Sequence, residues 1–205
     1  MRLLTQNTKL KRTSEIEGER VLNFSIPAYK SATGKVTCPY AGPCKEFCYA
    51  RKRFYKMTNV KKSHEQKLLY TLRPDFAELM IAELKLERPT YVRIHDSGDF
   101  YSKEYIHKWF DVMNTMKDIK FYAYTNSIRF FEADDVKPFI PDNFDLIYST
   151  SGVDADRIDY KRHRHAKIFD NRLTLFESGY VSASKSDLRA TKWFTKTNKI
   201  GLIFH

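Results

Sequence analysis

Residues 90–127 decide the fold class and read TYVRIHDSGDFYSKEYIHKWFDVMNTMKDIKFYAYTNS. Val92 and Ile94 alternate with polar neighbours, which is typical of a strand. Ser102 then stands at a helix N-cap position, and apolar side chains follow it at three-to-four spacing. The segment 120–127 has the pattern of another strand. A strand, a helix and a strand in this order predict a right-handed βαβ unit within a parallel sheet.

The same alternation of extended and helical patterns continues on both sides of this unit. Residues 63–89 predict one helix interrupted at Pro74 or two shorter helices, because their leucines fall on one helical face. Further strands, which bring the total to about six, are predicted at 19–31, 144–152, 172–184 and 200–205. Strands that alternate with helices indicate an α/β fold with a parallel sheet, closed or partly closed.

The chain has 205 residues, of which 42% are apolar and 15% aromatic, so we expect a single globular domain over 1–205. Residues 1–18 are interpreted as an N-terminal extension of that domain. No apolar run approaches the roughly 18 residues of a membrane span, and the start lacks the apolar centre of a signal peptide. These features predict a cytoplasmic location without a membrane partner.

The formal net charge of +11 raises the affinity of the chain for nucleic acid and other polyanions. The densest basic pieces are RKRFYK at 51–56, KK at 61–62 and KRHRHAK at 161–167. Residues 160–167 are interpreted as an exposed basic helix. A solvated surface explains such charge as well as a bound nucleic acid or phosphorylated substrate does, so both interpretations stay open.

All the cysteines of the chain lie in CPYAGPCKEFCYA, residues 38–50. They are Cys38, Cys44 and Cys48. Three thiols are one too few for a closed zinc site and an odd number for disulfides. A [4Fe–4S] cluster held by three cysteines keeps one iron open, and a loop with glycine and prolines can bend around it. Three alternatives stay open: incidental thiols, a zinc ion with His95 or His205 as a further ligand, or a thiol nucleophile with a histidine base, which leaves two nearby thiols unexplained.

Polar residues follow the predicted strands, and the carboxyl ends of parallel strands meet at one edge of a sheet. The site candidates at that edge are His95, Ser97, Gly98, Asp99, Thr125, Asn126, Ser149 and Thr150. His95 and Asp99 have the chemistry to ligate a metal, receive an amine or transfer a proton, although carboxylates there also cap helices. Arg93 shares the strand face of His95, where it could bind a substrate anion or pair with Asp145.

Three blocks of the sequence carry a resemblance to a known family. TCPYAGPCKEFCYA, RIHDSGDFYSKEYIHKW and FYAYTNS, in this order, resemble the phage gene-eighty-eight-like protein family. That family is in turn similar to radical SAM enzymes, in which three cysteines of one loop hold a [4Fe–4S] cluster. The resemblance implies a compact partial (β/α)6 TIM-like barrel, radical-SAM-like, in which Cys38, Cys44 and Cys48 bind the cluster. Phe47, which precedes Cys48, matches an aromatic residue of that loop.

The same resemblance implies S-adenosylmethionine as a second cofactor. Its amino group would be received by Ser97, Gly98 and Asp99, and its pocket would be lined by Thr125, Asn126, Ser149 and Thr150. The implied function is that of a radical-SAM-like enzyme of phage origin in the cytoplasm of the host cell. Its substrate would be a small molecule or a nucleotide derivative, with His95 and Asp99 as catalytic residues.

The C-x5-C-x3-C spacing differs from the C-x3-C-x-aromatic-C spacing of radical SAM enzymes, so two further functions stay open. One is a desulfurase-like enzyme in which the open iron of the cluster acts as a Lewis acid or holds sulfide. The other is a basic nucleic-acid-binding accessory protein whose metal is structural.

Overall fold

The computed structural model describes residues 2–203, so His205, a candidate zinc ligand, lies outside the described residues. Seven strands of the described chain form one sheet, and every neighbouring pair is parallel. They are β1 (Val21–Phe24), β2 (Tyr91–Ile94), β3 (Lys120–Thr125), β4 (Phe144–Ser149), β5 (His165–Phe169), β6 (Val181–Ser182) and β7 (Lys199–Ile203). Their order is β1-β2-β3-β4-β5-β7-β6, and the sheet curls into a half-barrel. The predicted α/β class is confirmed.

The helices of the described chain are α1 (Thr8–Glu17), α2 (Cys44–Phe47), α3 (Thr58–Thr71), α4 (Phe76–Glu87), α5 (Lys103–Thr115), α6 (Ile128–Phe131) and α7 (Arg172–Glu177). Ser102 caps α5 as predicted, because its hydroxyl accepts a hydrogen bond from Tyr105 N at 3.2 Å. Between α3 and α4 the chain turns around Pro74, so the predicted helical region forms two helices. No helix within residues 2–203 is long and apolar enough to cross a membrane.

Helices α4 and α5 cover one face of the sheet with large aromatic side chains. Phe24 of β1, Phe76 of α4 and Trp109 of α5 are fully buried there. Their ring centroids lie 5.7, 5.4 and 5.5 Å apart in edge-to-face arrangements. Burial of such rings is the main stabilising contribution of this outer core. The packing fixes β1 and β2, and therefore the loops that leave their carboxyl ends.

The opposite, inner face of the sheet packs against a second buried cluster. Its members are Leu10, Val21, Tyr91, Tyr122, Ile147, Ala166, Ala183, Leu188, Ala190 and Ile200. Helix α1 and the turn at 187–190 contribute to this cluster, so they cover the inside of the half-barrel. Leu3 and Leu4 are buried in the outer core, and Thr5 pairs with Asn23 of β1. The segment interpreted as an N-terminal extension thus contributes side chains to both cores.

The predicted strand at 172–184 is wrong. Helix α7 and the two-residue strand β6 occupy this segment instead. The Asn171 side chain accepts a hydrogen bond from Thr174 N at 3.0 Å and caps the helix. Gly179, with a φ of 73°, then turns the chain toward β6. Because of this cap and this turn, the segment RLTLFESGYVSAS does not form the single strand that its extended pattern predicts.

The predicted exposed basic helix at 160–167 is also wrong, because this segment turns and enters strand β5. Arg164 and His165 are buried. The guanidinium of Arg164 donates to the carbonyls of Thr195 and Thr197 at 2.8 and 2.7 Å, and it lies 3.5 Å from Asp145. Asp145 is therefore paired with Arg164 and not with Arg93. These contacts satisfy a buried cation that the sequence pattern places in solvent.

Candidate functional site

The carboxyl ends of β1 to β4 converge at one edge of the sheet, here called the rim. Residues 38–50, here called the cysteine loop, come after β1 in the chain. The candidate residues at 95–99, 125–126 and 149–150 end or follow β2, β3 and β4. Backbone hydrogen bonds join the loops: Asp99 N donates to Thr37 O, and Val153 N donates to Tyr40 O, both at 3.1 Å. The rim therefore brings the cysteine loop against the ends of β2 and β4.

Asp99 is buried at the rim and accepts hydrogen bonds from three donors. Its carboxylate accepts from Thr125 Oγ1 at 2.5 Å, from Asn126 N at 2.8 Å and from Phe100 N at 2.8 Å. Burial raises the pKa of Asp99 to about 6, although these hydrogen bonds act in the opposite direction. Because its oxygens are engaged within the chain, Asp99 positions the ends of β2 and β3 and is not a free ligand.

Cys38 and Cys44 each receive nitrogen donors from other segments of the rim. Tyr29 N lies 3.2 Å from Cys38 Sγ, and Asn126 Nδ2 lies 3.6 Å from Cys44 Sγ. The Ser151 hydroxyl also donates to Cys44. N–H donors directed at cysteine sulfur are one means by which proteins set the reduction potential of an iron–sulfur cluster.

The three cysteines are free, half-buried thiols of one loop. Burial raises the pKa of Cys38, and Asp99 and the other two thiols raise it further. Burial likewise raises the pKa of Cys44 to about 11, and it raises that of Cys48, whose sulfur accepts from two backbone amides of the following turn. Thiols with raised pKa values are poor nucleophiles, whereas a bound metal deprotonates them.

Two glycines let the loops at the rim approach each other. A methyl group on Gly152 would lie 2.6 Å from Asn126 Oδ1 and 2.9 Å from Tyr40 O, so no side chain fits there. Gly98, with a φ of 84°, packs so closely on Ile26 after β1 that a side chain would overlap it. Both close contacts hold the cysteine loop and the ends of β1, β2 and β4 together.

Two polar atoms at the rim, Asn126 Oδ1 and Ser97 Oγ, are buried and have no hydrogen-bond partner within the described structure. Buried polar atoms without partners are rare, and each one requires an explanation. Both can accept a hydrogen bond from an amino group. Asn126 is notable because its Nδ2 also donates to Cys44, so one side chain connects the thiols with an unpaired acceptor.

His95 lies in the outer core, apart from the donors to the cysteine sulfurs. Its ring packs on Phe24 and Phe100, with centroids 6.4 and 4.7 Å away, and its Nε2 lies 2.9 Å from Tyr105 OH. Burial lowers the pKa of His95 to about 3, so the imidazole is neutral at physiological pH. These contacts hold the ring in the outer core, whereas its buried Nδ1 has no hydrogen-bond partner within the described structure.

A cleft of about 300 Å³ opens beside the cysteine loop at the ends of β4 and β5. It is lined by Phe47, Thr150, Ser151, Lys167 and Ile168. Thr150 is a predicted pocket residue, and Ser149, also predicted, is the last residue of β4. Ser151 reaches both the cleft and Cys44, so the cleft adjoins the thiols. The exposed Lys167 supplies a cation for an anionic group of a ligand.

A buried ion pair inside the half-barrel was not predicted from the sequence. Asp187 accepts from Arg93 Nη1 at 3.0 Å, from Tyr122 OH at 2.8 Å and from Lys9 Nζ at 2.6 Å. Although burial opposes it, Arg93 and Lys9 hold the pKa of Asp187 well below its usual range. Arg93 is thus committed to Asp187, 94 residues away, and no local pattern indicates that pairing.

Within residues 2–203, no group of three or more His, Cys, Asp or Glu side chains is arranged to hold a metal ion. A cubane cluster has a different requirement from a single ion, since each cysteine binds a separate iron atom. The donor chemistry of the rim, with free thiols and amide donors to their sulfurs, fits such a cluster.

Comparison with known proteins gives one match. No curated protein and no solved structure matches the chain. A family model described as Gene product 88 matches residues 1–201, a range that includes the cysteine loop and every strand end at the rim. The chain therefore belongs to the Gene product 88 family.

Proposed function

We propose that the rim binds a [4Fe–4S] cluster through Cys38, Cys44 and Cys48, and that the protein is an iron–sulfur enzyme. One observation carries the proposal: three free, half-buried thiols of one loop lie close to the buried carboxylate of Asp99, and nitrogen donors point at two of their sulfurs. Iron supplies the positive charge that such a site needs to hold thiolates. The cysteine loop after β1 of a parallel half-barrel supports a radical-SAM-like, partial (β/α)6 architecture.

S-adenosylmethionine is the proposed second cofactor. Asn126 Oδ1 and Ser97 Oγ, the unpaired acceptors of the rim, would receive its amino group, because the Asp99 carboxylate is already engaged. Thr150 and Lys167 of the adjoining cleft would bind its carboxylate or an anionic substrate group. With an external one-electron donor, the cluster would supply the electron that cleaves S-adenosylmethionine to methionine and a 5′-deoxyadenosyl radical. That radical would take hydrogen from a small-molecule or nucleotide-derived substrate.

Iron and sulfide analysis of protein purified without oxygen tests the cluster. We expect about four iron and four sulfide per chain, with a brown colour and broad visible absorption. Cys38→Ser, Cys44→Ser and Cys48→Ser should each lose most of the iron, whereas Thr33→Ser, an exposed change before the same loop, should keep it. A colourless protein with stoichiometric zinc, or without metal, would contradict the proposal.

Binding of S-adenosylmethionine to the iron-loaded protein, measured by calorimetry, tests the second cofactor. Asn126→Ala should weaken binding at least tenfold, since an amine hydrogen bond is worth on the order of 1.5–3 kcal/mol. Reduction in its presence should release 5′-deoxyadenosine. Iron-loaded protein that neither binds S-adenosylmethionine nor releases 5′-deoxyadenosine would leave the cluster proposal intact and reject this part.

A second candidate keeps the cluster without S-adenosylmethionine. The observation that favours it is the saturated Asp99 carboxylate, which leaves the amino-group site of radical SAM enzymes without its free acid. In this desulfurase-like function the open iron would act as a Lewis acid or hold sulfide. Sulfide in excess over the cluster content, with no affinity for S-adenosylmethionine, would favour it. Either function needs a reducing compartment, for which we propose the cytoplasm of the host cell.

A further inference from the structure

Residues 43–62, here called the basic segment, begin within the cysteine loop and concentrate the charge of the chain. Seven lysines and arginines and one glutamate give this segment a formal charge of +6, out of +11 for the whole chain. Its exposed cations include Lys52, Arg53, Lys56, Lys61 and Lys62. Within the part of the chain that the structure describes, none of these five is paired with a carboxylate. Unpaired cations gathered in one segment attract polyanions.

Two tyrosines fasten the basic segment to the rim. Tyr49 OH donates to the Asp96 carbonyl at 2.5 Å, and Tyr55 OH donates to Asp96 Oδ2 at 3.0 Å. Their rings pack edge to face with centroids 5.7 Å apart. Since Asp96 lies just beyond the end of β2, these bonds hold the cations at a fixed place beside the cysteine loop.

Aromatic rings lie exposed among these cations. The side chain of Phe54, between the two anchoring tyrosines in sequence, is 77% exposed, and Tyr49 is 52% exposed although its hydroxyl is bonded. Proteins bind single strands by this combination, with cations at the phosphates and rings stacked on unpaired bases. A duplex has no free base faces to stack on such rings, so the exposed Phe54 favours a single strand.

We propose that the basic segment is a docking surface for single-stranded nucleic acid. Phe54 stacks on a base, and Lys52, Arg53 and Lys56 contact the phosphates. The cleft beside the thiols begins at Phe47 of the same segment, so a docked strand lies next to that cleft. None of the four residues proposed to contact the strand, Phe54, Lys52, Arg53 and Lys56, is a proposed cluster ligand, so docking and cluster binding can be tested separately.

Fluorescence anisotropy with a labelled oligothymidylate of about 20 nucleotides, in about 50 mM salt, tests the proposal. Phe54→Ala should weaken binding roughly 5- to 150-fold, as expected for the loss of one stacked base. Changing Lys52, Arg53 and Lys56 together to serine should reduce the slope of log affinity against log salt by about 2, at roughly 0.7 per lost phosphate contact.

Two matched variants serve as controls. Phe139→Ala removes another exposed phenylalanine, 60% exposed, ahead of β4. Changing Lys85, Lys117 and Lys196 to serine removes the same charge from exposed positions that precede β2, β3 and β7, at the edge opposite the rim. Both controls should bind the oligonucleotide nearly as the unmodified protein does.

Four outcomes would overturn the docking surface. They are absence of binding in low salt, equal binding by Phe54→Ala, equally tight binding of a duplex of the same length, and capture of phosphatidylserine vesicles without oligonucleotide binding. Iron and sulfide are measured on each variant and should match the unmodified protein. A failure of docking and a failure of the proposed cluster are therefore distinguishable.

Discussion

Two buried carboxylates, Asp187 inside the half-barrel and Asp99 at the rim, have opposite electrostatic surroundings. Arg93 and Lys9 hold the pKa of Asp187 well below its usual range against the effect of burial. Asp99 binds hydroxyl and amide donors, and burial raises its pKa to about 6. The interior is thus neutralised by the chain's own cations, whereas the rim gathers acidic groups that a bound cation would stabilise.

The largest expected effect comes from breaking the interior pair. Asp187→Asn should reduce the free energy of unfolding by about 3–5 kcal/mol, because it leaves the buried Arg93 without a counter-charge. Urea unfolding monitored by circular dichroism measures this. Asp118→Asn, an exposed change of the same chemistry, is the control. A loss below about 1 kcal/mol would show that the interior pair does not stabilise the fold.

Acid should progressively remove the contribution of the Asp187 carboxylate to the free energy of unfolding. The folded-state pKa of Asp187 lies below its unfolded value of about 3.9, so its stabilising effect is complete above that pH and declines as the pH falls below it. The difference in unfolding free energy between the unmodified protein and Asp187→Asn should therefore be constant from about pH 7 to 5 and shrink below about pH 4. A difference that grows with acidification would contradict the assignment of Asp187 as an anion.

A smaller loss is expected at the rim. Asp99→Asn should cost about 1–3 kcal/mol, because an amide NH₂ would face donors that now bond a carboxylate, but no buried cation loses its partner. Unfolding of the iron-free protein measures this, and iron content after reconstitution should also fall, since Asp99 positions Asn126 beside Cys44. A cost equal to that of Asp187→Asn would remove the contrast between the two regions.

The smallest effect is expected for an ion pair in solvent. Lys103 and Asp135 lie 2.7 Å apart with most of the carboxylate exposed. Asp135→Asn should leave the free energy of unfolding unchanged within the error of the measurement, at low and at high salt. A clear loss that salt does not reduce would mean that distance, and not burial, sets the strength of ion pairs in this chain.

Local chemistry made part of the fold predictable. Ser102 and the alternation of Val92 and Ile94 predict the βαβ unit because the cap and the strand pattern depend on neighbouring residues. Strand β5 was missed because its start is rich in charge, and the signal that could have found it is the alternation of Ala166 and Ile168. The burial of Arg164 depends on distant carbonyls that only the folded chain brings near.

The candidate site was predictable in place but not in detail. Parallel strands end at one edge, so the meeting of Asp99 with Thr125 and Asn126 could be expected. The hydrogen bonds to both Asp99 oxygens could not be predicted, because they depend on how closely two backbone amides approach the carboxylate. Lys167 falls within the predicted basic helix, so the sequence pattern does not indicate its place in the cleft. The chemical roles of the candidate residues stay predictions.

The bond between Lys9 and Asp187 joins positions 178 residues apart and has a consequence for biosynthesis. During synthesis β1 to β4 leave the ribosome first, yet Arg93 acquires its counter-ion only after Asp187 has also left it. Translation that stops before Ser186 would yield a chain with an uncompensated guanidinium at its centre, a substrate for proteolysis. The fold therefore becomes resistant to proteolysis only after residue 187 has been synthesised, and not with its first strands.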